Sequence, residues 1–200
     1  MKYPVHIEKL IRQLTKLPSV GPKTAERYVF SLLNMSNSDL KDFAESVLVL
    51  KEKTIICREC FAVSDRTPCA ICSDSTRNKE TICIVANTRE MLAIDASKEY
   101  RGYYQVLGGL INAIEEIGPE KLKINELVER IKRNQAQEVI IGLNPNIEGE
   151  TTAMYLFKLL KEKFPNLKIS RLARGLPMGA DIEYADELTI ANALKYRNIL

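Results

Sequence analysis

Two hundred residues, 46% hydrophobic and 28% charged, can bury a substantial core in one or two domains, which excludes an intrinsically disordered chain. No apolar run approaches the roughly 20 residues that span a bilayer, and Met1-Lys2-Tyr3-Pro4-Val5-His6 lacks the apolar core of a signal peptide, so a cytoplasmic location is expected. The formal net charge of +3 is concentrated at the front, where Lys2, Lys9, Arg12, Lys16, Lys23 and Arg27 face only Glu8 and Glu26, a net +4. Such a basic front fits either a polyanion contact or an ordinary solvated helical face.

Ile7, Leu10, Ile11, Leu14 and Leu17 recur at three- and four-residue steps, predicting a helix from Val5 that Pro18 stops. Pro22 suits the first position of a second helix, with Ala25, Val29, Leu32 and Leu33 on its apolar side and an end near Met35. A third helix is expected from Ser38 or Asp39, through Leu40, Phe43, Val47 and Leu50, to Lys53. Between the first two, Leu17-Pro18-Ser19-Val20-Gly21-Pro22-Lys23-Thr24-Ala25-Glu26-Arg27 has the layout of a helix-hairpin-helix. The tight turn delivers free N–H groups and the positive end of a helix dipole to one point, with Lys23 in the first turn and Arg27 a turn later. That chemistry suits phosphate in a sequence-independent, salt-sensitive contact; a plain helical hairpin with two surface cations has the same letters.

Cys57-x2-Cys60-x8-Cys69-x2-Cys72 follows. One Cys-x-x-Cys could be a redox motif, but two such pairs can close a tetrahedron around a single Zn²⁺. The intervening Ser64-Asp65-Arg66-Thr67-Pro68 favours a short hairpin between Cys60 and Cys69 that returns to the metal. Four ligands leave no open position, so this metal holds shape and does no hydrolysis. Arg58 and Arg66 beside it are either minor phosphate contacts or solvated, and Cys83, within Ile82-Cys83-Ile84-Val85, reads as a buried thiol.

Beyond residue 80 short apolar strands alternate with amphipathic helices, the pattern of an α/β layer with a largely parallel sheet. Strands are predicted at Ile82 to Val85, Tyr103 to Leu107, Glu138 to Leu143, Leu167 to Arg171 and Glu187 to Ala191. Helices are predicted at Thr88 to Ala96, Ile124 to Arg133, Glu150 to Phe164 and Asn192 to Leu200. The acidic stretch from Asp181 to Glu187 faces either protein partners or water.

The basic hairpin, the four cysteines and three loops occur in one order, the loops being Val106-Leu107-Gly108-Gly109, Gly142-Leu143-Asn144-Pro145-Asn146-Ile147-Glu148-Gly149-Glu150 and Arg174-Gly175-Leu176-Pro177-Met178-Gly179. The combination resembles the RecR family of bacterial recombination mediators over essentially the whole chain. The resemblance implies an α+β multidomain fold: a helix-hairpin-helix DNA-binding domain over 1–53, a C4 zinc finger over 54–79, a Toprim domain with a mainly parallel sheet over 80–175, and a C-terminal segment over 176–200 that makes oligomer contacts. It further implies a homo-oligomer, a dimer or tetrameric ring, that binds single- and double-stranded DNA. With RecF and RecO it would load RecA on gapped or single-stranded DNA in the bacterial cytoplasm, at the nucleoid. By position the DNA-contacting cations fall on Lys23 and Arg27, and the zinc ligands on Cys57, Cys60, Cys69 and Cys72.

Two positions depart from the family pattern. Ser19 stands where the hairpin usually has glycine, and the first Toprim strand ends in Ala86 where a glutamate is common. Catalytic Toprim enzymes pair such a glutamate with an Asp-x-Asp that holds Mg²⁺; here Ala86 cannot ligate or transfer a proton. Glu148 and Glu150 could hold a divalent ion weakly or meet a partner, or simply stabilise the start of the helix they open. No tyrosine stands in a nucleophile motif, and His6 has no visible catalytic partner. A non-catalytic scaffold is therefore expected, the alternative being a Mg²⁺-dependent Toprim nuclease or topoisomerase-like enzyme.

Overall fold

The computed structural model describes residues 3–197, which separate into a unit ending at Thr54 and a unit beginning at Ile55. The first unit holds α1 (Val5–Leu14), α2 (Pro22–Leu33) and α3 (Asn37–Glu52). α1 stops three residues short of the expected Leu17, because Lys16 and Leu17 donate to the carbonyls of Gln13 and Leu14 in tight turns on the way to Pro18. Leu17-Pro18-Ser19-Val20 then reverses the chain, with Val20 N–H donating to Leu17 C=O at 3.2 Å and Ser19 at φ 63°. Proline followed by positive φ is the pattern of a type II turn, whose third position favours glycine. α1 and α2 pack together, and Ala25 and Val29 of α2 are buried. α3 is capped by Ser36, whose Oγ accepts from Asp39 N–H, yet none of its residues is buried and Leu40, Phe43, Val47 and Leu50 stay exposed.

The second unit opens with a small antiparallel pair, β1 (Ile55–Ile56) with β2 (Val63–Ser64), and a one-turn helix, α4 (Ala70–Ser73). This corrects the hairpin expected between Cys60 and Cys69. The strands bracket the first cysteine pair instead, because Cys57 N–H bonds to Ala62 C=O and Phe61 N–H to Cys57 C=O, closing the knuckle itself. There follow β3 (Asn78–Val85), α5 (Thr88–Ala96), β4 (Gly102–Val106), α6 (Ile124–Asn134), β5 (Glu138–Ile141), α7 (Ile147–Lys163), β6 (Lys168–Arg171) and α8 (Glu187–Lys195). The four-stranded sheet is parallel throughout, in the order β4-β3-β5-β6.

Alternation along β3 divides the core in two. Ile82 and Ile84 face Leu127 and Ile131 of α6 and Leu156 and Leu160 of α7, while Cys83 and Val85 pack with Tyr104, Val106, Met91 of α5 and the cysteine knuckle. β4 is an outer strand, yet every residue in it is buried. Three of its outward backbone groups are taken: Gly102 C=O accepts from Arg77, Tyr104 C=O accepts from Arg130, and Val106 N–H donates to Cys60 C=O at 2.8 Å.

Helix boundaries follow their caps. α7 begins three residues before the expected Glu150, since Asn146 Oδ1 accepts from Gly149 N–H; a Cβ on Gly149 would lie 1.9 Å from Asn144 C=O, so only glycine permits this turn. The expected strand from Glu187 to Ala191 is instead the start of α8. Asp186 accepts from Thr189 N–H and Oγ1, a cap that settles a short apolar run with no strand beside it. The predicted helix over 192–200 is real only as the end of α8, and its residues 198–200 lie outside the described residues. No helix among the described residues is long and apolar enough to cross a membrane.

The strained turn supplies a stability test. Ser19→Gly should raise the unfolding free energy of the helical unit by about 0.5–1 kcal/mol in denaturant titration, since glycine removes the left-handed penalty at a smaller entropic cost.

Candidate nucleic-acid interface and metal centre

The start of α2 differs from the other long helices of the chain in its electrostatics. α3, α5, α7 and α8 each begin with a side chain accepting from a first-turn amide and carry an acid there, and α1 and α6, which lack such a cap, still carry an acid in the first turn. α2 begins at Gly21 with no side-chain cap and no acid in its first turn. Pro22 has no N–H, so the amides of Lys23 and Thr24 are the donors at the helix mouth. Nothing crowds Gly21, and an added Cβ there would meet no atom within 4 Å. The Lys23 side chain is 95% exposed, 3.7 Å from Glu26, and Arg27 is exposed one turn on. An anion can therefore approach the helix mouth closely, held by amides, dipole and two cations.

The four cysteines converge in the second unit, with all four sulfurs within 4.8 Å of one another. Cys60 and Cys69 Sγ are 3.6 Å apart, against about 3.8 Å for the edge of a tetrahedron with 2.3 Å metal–sulfur bonds. Cys69 N–H donates to Cys57 Sγ at 3.3 Å, as a thiolate ligand would accept it. The donors thus fit a tetrahedral thiophilic ion. Two of these thiols are driven apart in acidity because they share so little space: bonds from Cys60 and then Cys72 hold the Cys69 thiol well below its ordinary range, while Cys60 is driven far above it by its bonds to Cys69 and Cys72 and by burial. Only a bound cation would let all four ionise together. Cys83 lies outside this group, and burial pushes its thiol up to about 12.

At the carboxyl ends of the strands, where open α/β sheets usually hold ligands, Ala86 closes β3 and is buried. A carboxylate does reach that point, from Glu90 one turn into α5. It accepts from Ala86 N–H at 2.9 Å, from Asn87 Nδ2 at 3.0 Å and from Asn144 Nδ2 at 2.9 Å. Glu150, in the first turn of α7, is paired with Arg171 and Arg174. Glu148 is half-buried and its backbone carbonyl accepts from Thr152 Oγ1. Among the described residues, the cysteines are the one group of three or more His, Cys, Asp or Glu side chains whose ligand atoms converge.

Comparison with known proteins matches the helical hairpin, the sheet and the C-terminal part to separate family models. Residues 7–49 match the family model described as RecR, helix-hairpin-helix, residues 80–173 the Toprim domain, and residues 175–198 the model described as RecR, C-terminal. Recombination protein RecR of Moorella thermoacetica is 45% identical over 200 residues, covering 100% of both chains. The chain belongs to the RecR family. Against the RecR pattern, the two departures acquire geometry. The usual hairpin glycine falls on the one turn position with positive φ, which Ser19 occupies under strain. The usual strand-end glutamate falls on Ala86, where Glu90 brings a carboxylate back.

Two residues of this RecR-family chain escaped sequence inspection. Glu90 stands three residues after the cap Asn87, a spacing that signals a side chain folding back over the helix start. Arg130 stands three residues after Leu127, on the apolar face of α6, and is 2% exposed. A cation inside an apolar stripe was the available signal.

The geometry predicts a thiol count. Chelator treatment of the native protein should release four fast-reacting thiols, while Cys83 reacts only on denaturation; five equally fast thiols would show that Cys83 is not held by the core.

Proposed function

We propose that this chain is a non-catalytic DNA-binding recombination mediator that works with RecF and RecO to place RecA on gapped or single-stranded DNA. The observation that carries the reading is the uncapped, acid-free start of α2 with Lys23 and Arg27 beside it, in a chain that matches a recombination protein from end to end. Contacts of this kind go to backbone phosphates, so binding extends to single strands and duplexes of any sequence. Cys57, Cys60, Cys69 and Cys72 hold one structural Zn²⁺, which sulfur ligands in tetrahedral reach favour, and thiol ligands suit the reducing cytoplasm. The division into a hairpin domain over 1–53, a zinc finger over 54–79, a Toprim domain over 80–175 and a C-terminal oligomer contact over 176–200 belongs to the same reading.

The exposed apolar side of α3, with Leu40, Phe43, Val47 and Leu50, supports a homo-oligomer, since a single copy leaves it in water. The acids of the Toprim unit support a scaffold over an enzyme. Glu90 is engaged by three donors and Glu150 by two arginines, so neither is a free ligand for Mg²⁺, and Glu148 and Glu150 fit a role at the helix start or against a partner.

Lys23→Ala combined with Arg27→Ala should weaken DNA binding at least tenfold and flatten the slope of log affinity against log salt by about 2, one per lost phosphate contact. Unchanged affinity in a salt-controlled titration of correctly folded protein would remove the hairpin from the function. With Mg²⁺ or Mn²⁺ and labelled single- and double-stranded DNA, no cleavage is expected. Cleavage that Glu148→Gln or Glu150→Gln abolishes would replace the scaffold with a nuclease.

A further inference from the structure

Arg130 is buried among groups that carry no negative charge of their own. Its Nη1 donates to Glu59 C=O at 2.8 Å, Tyr104 C=O at 2.5 Å and Gln105 Oε1 at 3.3 Å, its guanidinium lies 5.3 Å from the centre of the Tyr103 ring, and its buried Nε has no partner. Its remaining donor, Nη2, reaches Cys72 Sγ at 3.4 Å. Other arginines of this unit have acids: Arg77, its side chain buried, has Asp95 at 2.7 Å, half-buried Arg174 has Glu150 and exposed Arg133 has Glu59. The Glu59 carboxylate is thus engaged by Arg133, and only the Glu59 backbone serves Arg130. A cation buried without an anion is strongly unfavourable. The single contact of Arg130 able to carry negative charge is a cysteine of the metal site.

The deficit on the other side is equal in kind. A divalent ion held by four thiolates has a net charge of −2, and here Cys57, Cys60 and Cys69 lie within the core with Cys72 half-buried against it. We propose that Arg130 is the charge-compensating partner of the cysteine centre, retaining the metal thiolate in the interior and fastening it to the outer strand β4. This rests on the reading of Cys57, Cys60, Cys69 and Cys72 as zinc ligands. The planar guanidinium explains why arginine serves here: one fork reaches the knuckle backbone at Glu59, the strand at Tyr104 and the sulfur of Cys72. Metal binding and packing of the sheet edge are therefore linked. Removing the ion leaves Arg130 without its anion, and removing Arg130 leaves the thiolates without their cation.

The test compares full-length wild type, Arg130→Gln and Arg130→Lys by metal content and by the rate at which zinc passes to a chromogenic chelator. Arg130→Gln, which keeps a donor and loses the charge, should release zinc about 10- to 100-fold faster than wild type. Arg130→Lys, which keeps the charge without the fork, should fall between them. A folded Arg130→Gln variant releasing zinc within twofold of wild type, or glutamine and lysine variants releasing it equally fast, would overturn the proposal. A second measurement needs no variant. In wild type, chelation should reduce hydrogen-exchange protection in β4 and around Arg130 in α6 as well as in the knuckle, whereas loss confined to the knuckle would overturn the linkage. Wild-type protein that takes up neither zinc nor cobalt would overturn the metal reading beneath it. Zinc-loaded wild type with an indifferent Arg130→Gln variant would overturn this inference alone.

Discussion

The outer edge of β4 is the constraint around which the second unit is organised. An all-parallel sheet is stable when both faces and its exposed backbone are covered, and β4 ends the sheet with outward groups at Gly102, Tyr104 and Val106. Two arginines and the first cysteine knuckle take the Gly102 and Tyr104 carbonyls and the Val106 N–H, so the cysteine segment stands in part as the missing neighbour of the strand. The same packing buries Cys57, Cys60 and Cys69 against Cys83, Val85, Tyr104 and Val106, which joins the knuckle to the sheet as one core.

The two units answer different physical demands. In the second, burial on both faces of the sheet supplies the stability, and Thr152 is inside with its hydroxyl partnered by Ile111 N–H and the Glu148 carbonyl, while Gln105 Nε2 and Arg130 Nε are buried without a partner. The helical unit has little interior, with Ala25 and Val29 as its buried α2 residues and an α3 that buries none.

Near Ala86 the Toprim framework keeps its shape while its acids take other duties. Glu90 ties the end of β3 to the start of α5 and to Asn144, and Glu150 gathers Arg171 and Arg174 from the chain after β5. Carboxylates committed to amides and guanidinium groups hold loops in position. That use is consistent with a Toprim fold serving as scaffold, where a catalytic one would keep its acids for metal.

Local patterns determined a good deal of this protein from the sequence alone. The apolar steps of α1, α5 and α6, the alternation of strands and helices, and the cysteine spacing were all legible, because each depends on neighbours a few residues apart. Caps moved boundaries by a few residues, and at Asp186 a cap turned an expected strand into a helix. Which knuckle segments pair, that the first knuckle covers part of β4, that Glu90 meets Asn144 and that Arg130 touches Cys72 were decided only by tertiary structure. Those contacts join residues as far as 58 positions apart, as Arg130 and Cys72 are. A buried charge can be recognised as a charge in sequence, but its counter-charge is chosen by the fold.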